Sequence, residues 1–150
     1  MKRAIALAVG NARSDRGGPF GAVVAKDGQV VAEGVNLVTA TNDPTAHAEI
    51  VAIRAACRQL GSFQLAGCEL YASCEPCPMC LGAIYWARPA RVYFGALASD
   101  AAAAGFDDSL IYSQFAVEPA GRRIPCLSLL REDALEAFDE WRRNAGRVPY

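Results

Sequence analysis

Residues 70–96 read LYASCEPCPMCLGAIYWARPARVYFGA. Leu70–Ser73 is a short β-rich run, Pro78–Ala87 is an apolar helical stretch with proline at its first position, and Arg91–Ala96 is a second β-rich run. Parallel strands cannot be joined by a tight turn, so strand, helix and strand in this order predict a crossover with the helix laid on one sheet face. That unit places the chain in the α/β class.

Working outward, Asn42-Asp43-Pro44-Thr45 supplies capping residues and a proline, Ile50, Ile53, Cys57 and Leu60 fall on one helical face, and Gly61 follows as a stop. A helix therefore begins near His47. Phe20–Ala25 and Gln29–Glu33, joined by Lys26-Asp27-Gly28, read as a hairpin. At the amino end, Lys2-Arg3 ahead of an apolar run superficially resembles a signal peptide. Ile5, Ala8, Val9 and Ala12 recur at helical spacing, however, which predicts an amphipathic first helix of the mature protein. Beyond Ser99 the pattern weakens: Ala101–Ala104 is a helical turn, Gly105–Asp108 a loop, and Leu110–Phe115 fits either type. Cys126–Leu130 reads as a last strand and Asp133–Asn144 as a last helix, with Leu135, Phe138 and Trp141 on its apolar face. Helices alternating with strands predict a three-layer α/β/α sandwich around a central mixed sheet of about five strands.

A length of 150 residues suits one domain spanning residues 1–150. Fifteen Lys+Arg balance sixteen Asp+Glu, and neither half of the chain carries an excess. Phosphate neutralisation needs a concentrated positive face, so the balance weighs against a nucleic-acid partner. The 53% hydrophobic content is ample for a core and argues against disorder. The longest uncharged run, Pro76–Ala87, has twelve residues, short of the ~18 that span a bilayer. Of six cysteines, Cys74, Cys77 and Cys80 crowd into seven residues, a spacing typical of metal binding in a reducing compartment, so a cytoplasmic protein is expected. His47 is the single histidine, which excludes sites that need two imidazoles.

The chemistry concentrates in His47-Ala48-Glu49 and Pro76-Cys77-Pro78-Met79-Cys80, each at the start of a helix. Residues two apart do not face each other inside a helix, so His47 and Glu49 share a site only with His47 at the cap. Cys77 and Cys80 fall at the cap and third position of the next helix, where free amides and the dipole favour thiolates. Both helices follow strands and open at one sheet edge, the usual place for an α/β site. One nitrogen and two thiolates make three zinc ligands and leave a fourth position for water, the pattern of a catalytic ion. Cys74 would close that position and is expected to be a buried neighbour. Cys57, Cys68 and Cys126 are expected to be packing residues. Glu49 is the candidate proton shuttle.

The His-x-Glu and Pro-Cys-x-x-Cys pair is a known signature of zinc nucleobase deaminases. It implies that zinc-bound hydroxide attacks the ring carbon bearing the amine while Glu49 moves one proton to a ring nitrogen and a second to the leaving ammonia. NDPTAHAEI at Asn42–Ile50 resembles transfer-RNA adenosine deaminases as much as others. GGPFGA at Gly17–Ala22, SCEPCPMCLGAIYWAR at Ser73–Arg88, GFDDSLIY at Gly105–Tyr112 and the final Tyr150 resemble the bacterial guanine deaminases of the cytidine deaminase-like fold. That resemblance implies hydrolysis of guanine to xanthine and ammonia, one catalytic zinc on His47, Cys77 and Cys80, and Glu49 as the shuttle. It further implies that Asn36 binds the purine, with Ala48 among the substrate contacts, and that Asp108 is a second acid near the scissile amine. Phe20 and Trp86 are candidate walls for a flat base, with core packing the alternative for Trp86. By the same resemblance, Tyr150 closes the site of the partner in a homodimer whose segment 116–150 is exchanged. The chain begins a few residues later than the family's pattern, which implies a short first helix or an upstream start.

Two other functions compete. A deaminase of transfer RNA or of a nucleoside would need room for a ribose or strand, and RNA also a basic groove with stacking aromatics. Arg122, Arg123, Arg142, Arg143 and Arg147 are candidates for such a groove, but six acidic residues between 118 and 140 interleave with them. A zinc-stabilised binding module would leave Glu49 without a task.

Overall fold

The computed structural model describes residues 1–150. The elements are α1 (Lys2–Ala12), β1 (Gly21–Lys26), β2 (Gln29–Val35), α2 (Val38–Thr41), α3 (Ala48–Leu60), β3 (Cys68–Cys74), α4 (Pro78–Ala87), β4 (Arg91–Ala96), α5 (Ala98–Ala103), α6 (Ser109–Phe115) and α7 (Arg131–Arg143), with a 3-10 turn at Pro119–Gly121. They fall into two compact units, Met1–Ser109 and Leu110–Tyr150.

The first unit grows from its hairpin. Asp27 and Gly28 both have positive φ, 50° and 76°, the pair a type I′ turn needs, and Lys26 pairs with Gln29 directly across it. β1 then pairs antiparallel with β3, and β3 pairs parallel with β4 through the α4 crossover. The sheet order is β2-β1-β3-β4. Two antiparallel steps make β2 parallel to β3, so α3 is also a crossover, and α3 and α4 both start at the same sheet edge.

Two glycines reveal the layers. A Cβ on Gly34 would collide with the Ala48 carbonyl and lie 2.6 Å from the Ala52 nitrogen, whereas one on Gly21 would collide with the Ala4 carbonyl and lie 2.7 Å from the Ala8 nitrogen. Gly34 pairs with Ala22, the neighbour of Gly21, so the two glycines point to opposite faces. Hence α1 lies on one face and α3 on the other, pressed close because neither glycine has a side chain. The main core fills the α3 face with Ala22, Val24, Leu70, Cys68, Ala52, Ile53 and Ala56, joined by Ile84 and Ala87 from α4.

Three expectations are corrected. The sheet has four strands, not about five, because Cys126–Leu130 forms no strand and β4 is an edge with no outer neighbour. The buried face of α1 is Ala4, Ala8 and Asn11, while Ile5 and Val9 are each 44% exposed. Contact with Gly21 selects the smallest side chains, so the packed stripe is rotated from the one that hydrophobicity alone suggests. Cys126, expected to pack, is exposed.

The second unit holds most of α6, the 3-10 turn and α7. Its helix α7 has acidic Glu132 and Asp133 in its first turn and basic Arg142 and Arg143 in its last, matching the helix dipole. The ion pairs Arg142–Asp139 and Arg143–Glu140 reinforce it. None of its residues is buried.

Candidate active site

Both ligand-bearing helices begin as the sequence requires. His47 caps α3 with extended backbone angles (φ −68°, ψ 156°), and Cys77 caps α4 in the same manner (φ −63°, ψ 167°) with Pro78 following. Cap residues stand outside the helical spiral, which lets His47 turn towards the same point as Cys80 one turn into α4. The His47 Nδ1 lies 3.5 Å from the Cys77 sulfur and 3.5 Å from the Cys80 sulfur. All three donor atoms lie within 4.8 Å of one another. Zn–N and Zn–S bonds at the tetrahedral angle separate nitrogen and sulfur by about 3.6 Å, so the donor set fits one zinc ion.

The charges of the cluster agree with that fit. The Cys77 thiol is held down to about 4, first by a hydrogen bond from the Cys80 thiol and further by His47, against the cost of burial. Cys80 is pushed up, mainly because it donates to that thiolate. His47 is raised by its bond to Cys77. Cys77 is the readier thiolate of the two, and a divalent cation would bind both sulfurs as thiolates.

Glu49, in the first turn of α3, is buried beside this cluster, and burial raises its carboxyl above the usual range. A carboxyl group with raised proton affinity is suited to general base and then acid work. Asp108 is half-buried and also raised, by desolvation first and then by the Cys77 and Asp107 charges.

The loop carrying Asp108 is held by groups the sequence did not single out. Glu75 accepts the Ala98 N–H at 3.0 Å, tying α5 to the end of β3, and Asp100 accepts the Leu97 N–H at 2.8 Å, closing the first turn of α5. Phe106 packs edge-on against Phe20, ring centres 5.0 Å apart at 85°. Phe20 is therefore half-buried with a fixed ring. Glu75 sits inside the Cys-x-x-Cys stretch, where the cysteines mask it. Phe106 carries no signal until the chain is folded.

Asn36 follows β2 and is buried, and Ala48 is buried at the first position of α3, where a helix leaves its amide unpaired. Cys74 is buried with its sulfur 3.5 Å from the Leu97 carbonyl, as expected of a neighbour rather than a ligand. Trp86 is 63% exposed on α4, so it is no core residue. Tyr150 belongs to the second unit and is 71% exposed.

With this geometry in place, known proteins are informative. Residues 1–96 match the cytidine and deoxycytidylate deaminase zinc-binding region, and the chain belongs to that zinc-binding deaminase family. Within it, the chain is 53% identical to guanine deaminase of Bacillus subtilis over 150 residues, all of this chain and 96% of that one. A crystal structure of the Bacillus subtilis guanine deaminase superposes with a TM-score of 0.97 at 54% identity, covering 99% of this chain and 95% of that one. The tRNA-specific adenosine deaminase of Agrobacterium fabrum is 51% identical over 78 residues only, 52% of this chain and 51% of that protein. No helix is long and apolar enough to cross a membrane.

Proposed function

We propose that this chain hydrolyses guanine to xanthine and ammonia, with one zinc ion on His47, Cys77 and Cys80. The observation that carries the reaction type is a three-donor cluster of zinc dimensions with the buried Glu49 carboxyl beside it. Guanine is favoured over a nucleoside or RNA because the likeness to a guanine deaminase runs the whole length of the chain. The tRNA-deaminase likeness stops at about half.

When bound, zinc supplies a Lewis-acid centre that brings the pKa of water down to about 7. Glu49 accepts the proton released as water adds to the ring carbon bearing the amine, and delivers it to the adjacent ring nitrogen. A second proton passes through Glu49 to the amine, the carbon–nitrogen bond breaks, and ammonia leaves, so that one water is consumed for each amine lost. Asp108, whose carboxyl is raised by desolvation and neighbouring charge, assists that departure. Asn36 donates from its amide to the base, the first-turn amide at Ala48 offers a further donor, and Phe20 forms an apolar wall. Trp86 is a more peripheral wall, exposed on its helix.

The working form is a homodimer in which residues 116–150 exchange and Tyr150 closes the site of the second copy. Three facts support it: β4 is an unpaired edge, Cys126–Leu130 has the pattern of a strand without being one, and Leu127, Leu129 and Phe138 are exposed. A monomer seldom leaves so much apolar surface in water. Six free thiols, two of them metal ligands, suit the reducing cytoplasm.

The deciding experiment measures ammonia release from guanine, guanosine, adenine, cytosine, cytidine and unmodified tRNA by the zinc-loaded protein. Guanine is expected to turn over fastest. Turnover of a nucleoside or RNA with none of guanine would replace this function with the tRNA-deaminase alternative, and no release from any substrate would favour a binding module.

A further inference from the structure

Asn11 is a polar residue on the packed face of a helix. It is 5% exposed, in line with Ala4 and Ala8 on the side of α1 that meets the sheet. Buried amides persist where their hydrogen bonds are met. Both hydrogens of the Asn11 Nδ2 are used, on two chain segments far apart in sequence: it donates to the Gly18 carbonyl at 2.7 Å and to the Asn36 carbonyl at 2.9 Å. Ser14 donates its hydroxyl to the Asn11 backbone carbonyl at 2.8 Å, which steadies the end of the helix. One side chain thus clamps the loop before β1 to the residue after β2.

What it clamps is Asn36, the purine contact proposed above. The Asn36 N–H donates to the Phe20 carbonyl at 3.1 Å, and its Oδ1 accepts from both the Gly18 and Val38 N–H groups at 3.2 Å each. An amide oxygen has two lone pairs, so both are committed and the amide cannot flip without losing two bonds. The packing is close, because a Cβ on Gly17 would run into the Asn36 carbonyl oxygen and lie 2.8 Å from its Oδ1. The Asn36 Nδ2 bonds to no protein acceptor, and no fully sealed side-chain nitrogen is left unsatisfied, so this donor keeps some access to solvent and remains uncommitted.

We propose that Asn11 is a positioning residue for substrate binding: by holding the Gly18 and Asn36 carbonyls together it fixes the Asn36 amide with only its NH2 left uncommitted. The site then accepts the acceptor edge of a base and disfavours an edge that presents a donor. This rests on Asn36 being a purine contact, as put forward above.

The test compares Asn11→Ala, Asn11→Asp, Asn11→Ser, Asn36→Ala and the double variant Asn11→Ala/Asn36→Ala as zinc-loaded enzymes with guanine, alongside zinc content and Tm. Two lost hydrogen bonds predict a KM raised about 5- to 20-fold in Asn11→Ala, with kcat within about threefold. Asn11→Asp keeps the shape but sets an acceptor against both carbonyls and is expected to raise KM at least as much as Asn11→Ala. Asn11→Ser, with one donor, is expected to fall between. In the Asn36→Ala background, Asn11→Ala should add less than about twofold. An unchanged KM in the Asn11 variants, with activity tracking only Tm or zinc content, would reduce Asn11 to a structural role. A full, independent effect on top of Asn36→Ala would show that it does not act through Asn36. If Asn36→Ala itself left KM unchanged, the purine contact would fail, and the positioning role with it.

Discussion

The units Met1–Ser109 and Leu110–Tyr150 obey different physical rules. Every buried residue of the chain lies in the first, up to Ala87, and the zinc donors, Glu49, Asn36 and Asp108 all lie there too. The second has clear helices with well-matched charges but buries nothing, and leaves Leu127, Leu129, Leu130 and Phe138 exposed. Local signals suffice to form a helix, whereas burial needs a complementary surface. The first unit supplies that surface to itself by laying helices on both faces of its sheet. The second carries the apolar residues of a buried segment with no core around them.

The largest effect is expected where a metal ligand is removed from the self-sufficient unit. Cys80→Ser is expected to lower bound zinc from one per chain to a small fraction and to abolish ammonia release, as metal analysis and a guanine assay will show. Full activity with no zinc would overturn the assignment of the cluster. Next, Glu49→Gln is expected to keep its zinc and lose about 10²- to 10⁴-fold in kcat, the usual range for a general acid–base group. A loss of less than tenfold with zinc intact would move the proton shuttle elsewhere.

The second unit is tested by its oligomeric state. Light scattering should give twice the 15.9 kDa chain mass, and Leu129→Asp should shift it to the single mass, because a charge would enter a desolvated contact. A wild-type monomer would break the proposed exchange and leave the exposed leucines without a purpose.

The smallest effect concerns pH. Burial raises the Glu49 carboxyl above its unfolded value, so the folded metal-free chain keeps a proton that the unfolded chain releases. Stability contributed by that proton is complete below the unfolded value and is lost as pH rises through the raised one. Glu49→Gln in chelated protein should therefore raise Tm by a few degrees at neutral pH and leave it nearly unchanged below the usual carboxylate range. Equal Tm values at both pH extremes would refute a strained carboxylate at this position.

Much of the first unit was legible in the sequence because its signals are local. Pro78 at the first position of α4, Gly61 at the end of α3 and Asp27-Gly28 in the hairpin turn each act within a few residues, and the structure places all three accordingly. The metal donors were legible for the same reason, as caps of two successive crossover helices. Asn11 was not, since its value lies in two carbonyls 7 and 25 residues away. Phe106 also needed its tertiary partner, and Cys126–Leu130 has strand-forming residues but no neighbouring strand.

Local residue patterns dictate the α/β order, the three donors and the carboxylate near them, because cap chemistry and crossover handedness follow from short-range sterics and dipoles. Which face of α1 packs, how the Asn36 oxygen is bonded and which apolar residues stay exposed are set by long-range packing. Those depend on distances between segments remote in the chain, which no local preference encodes.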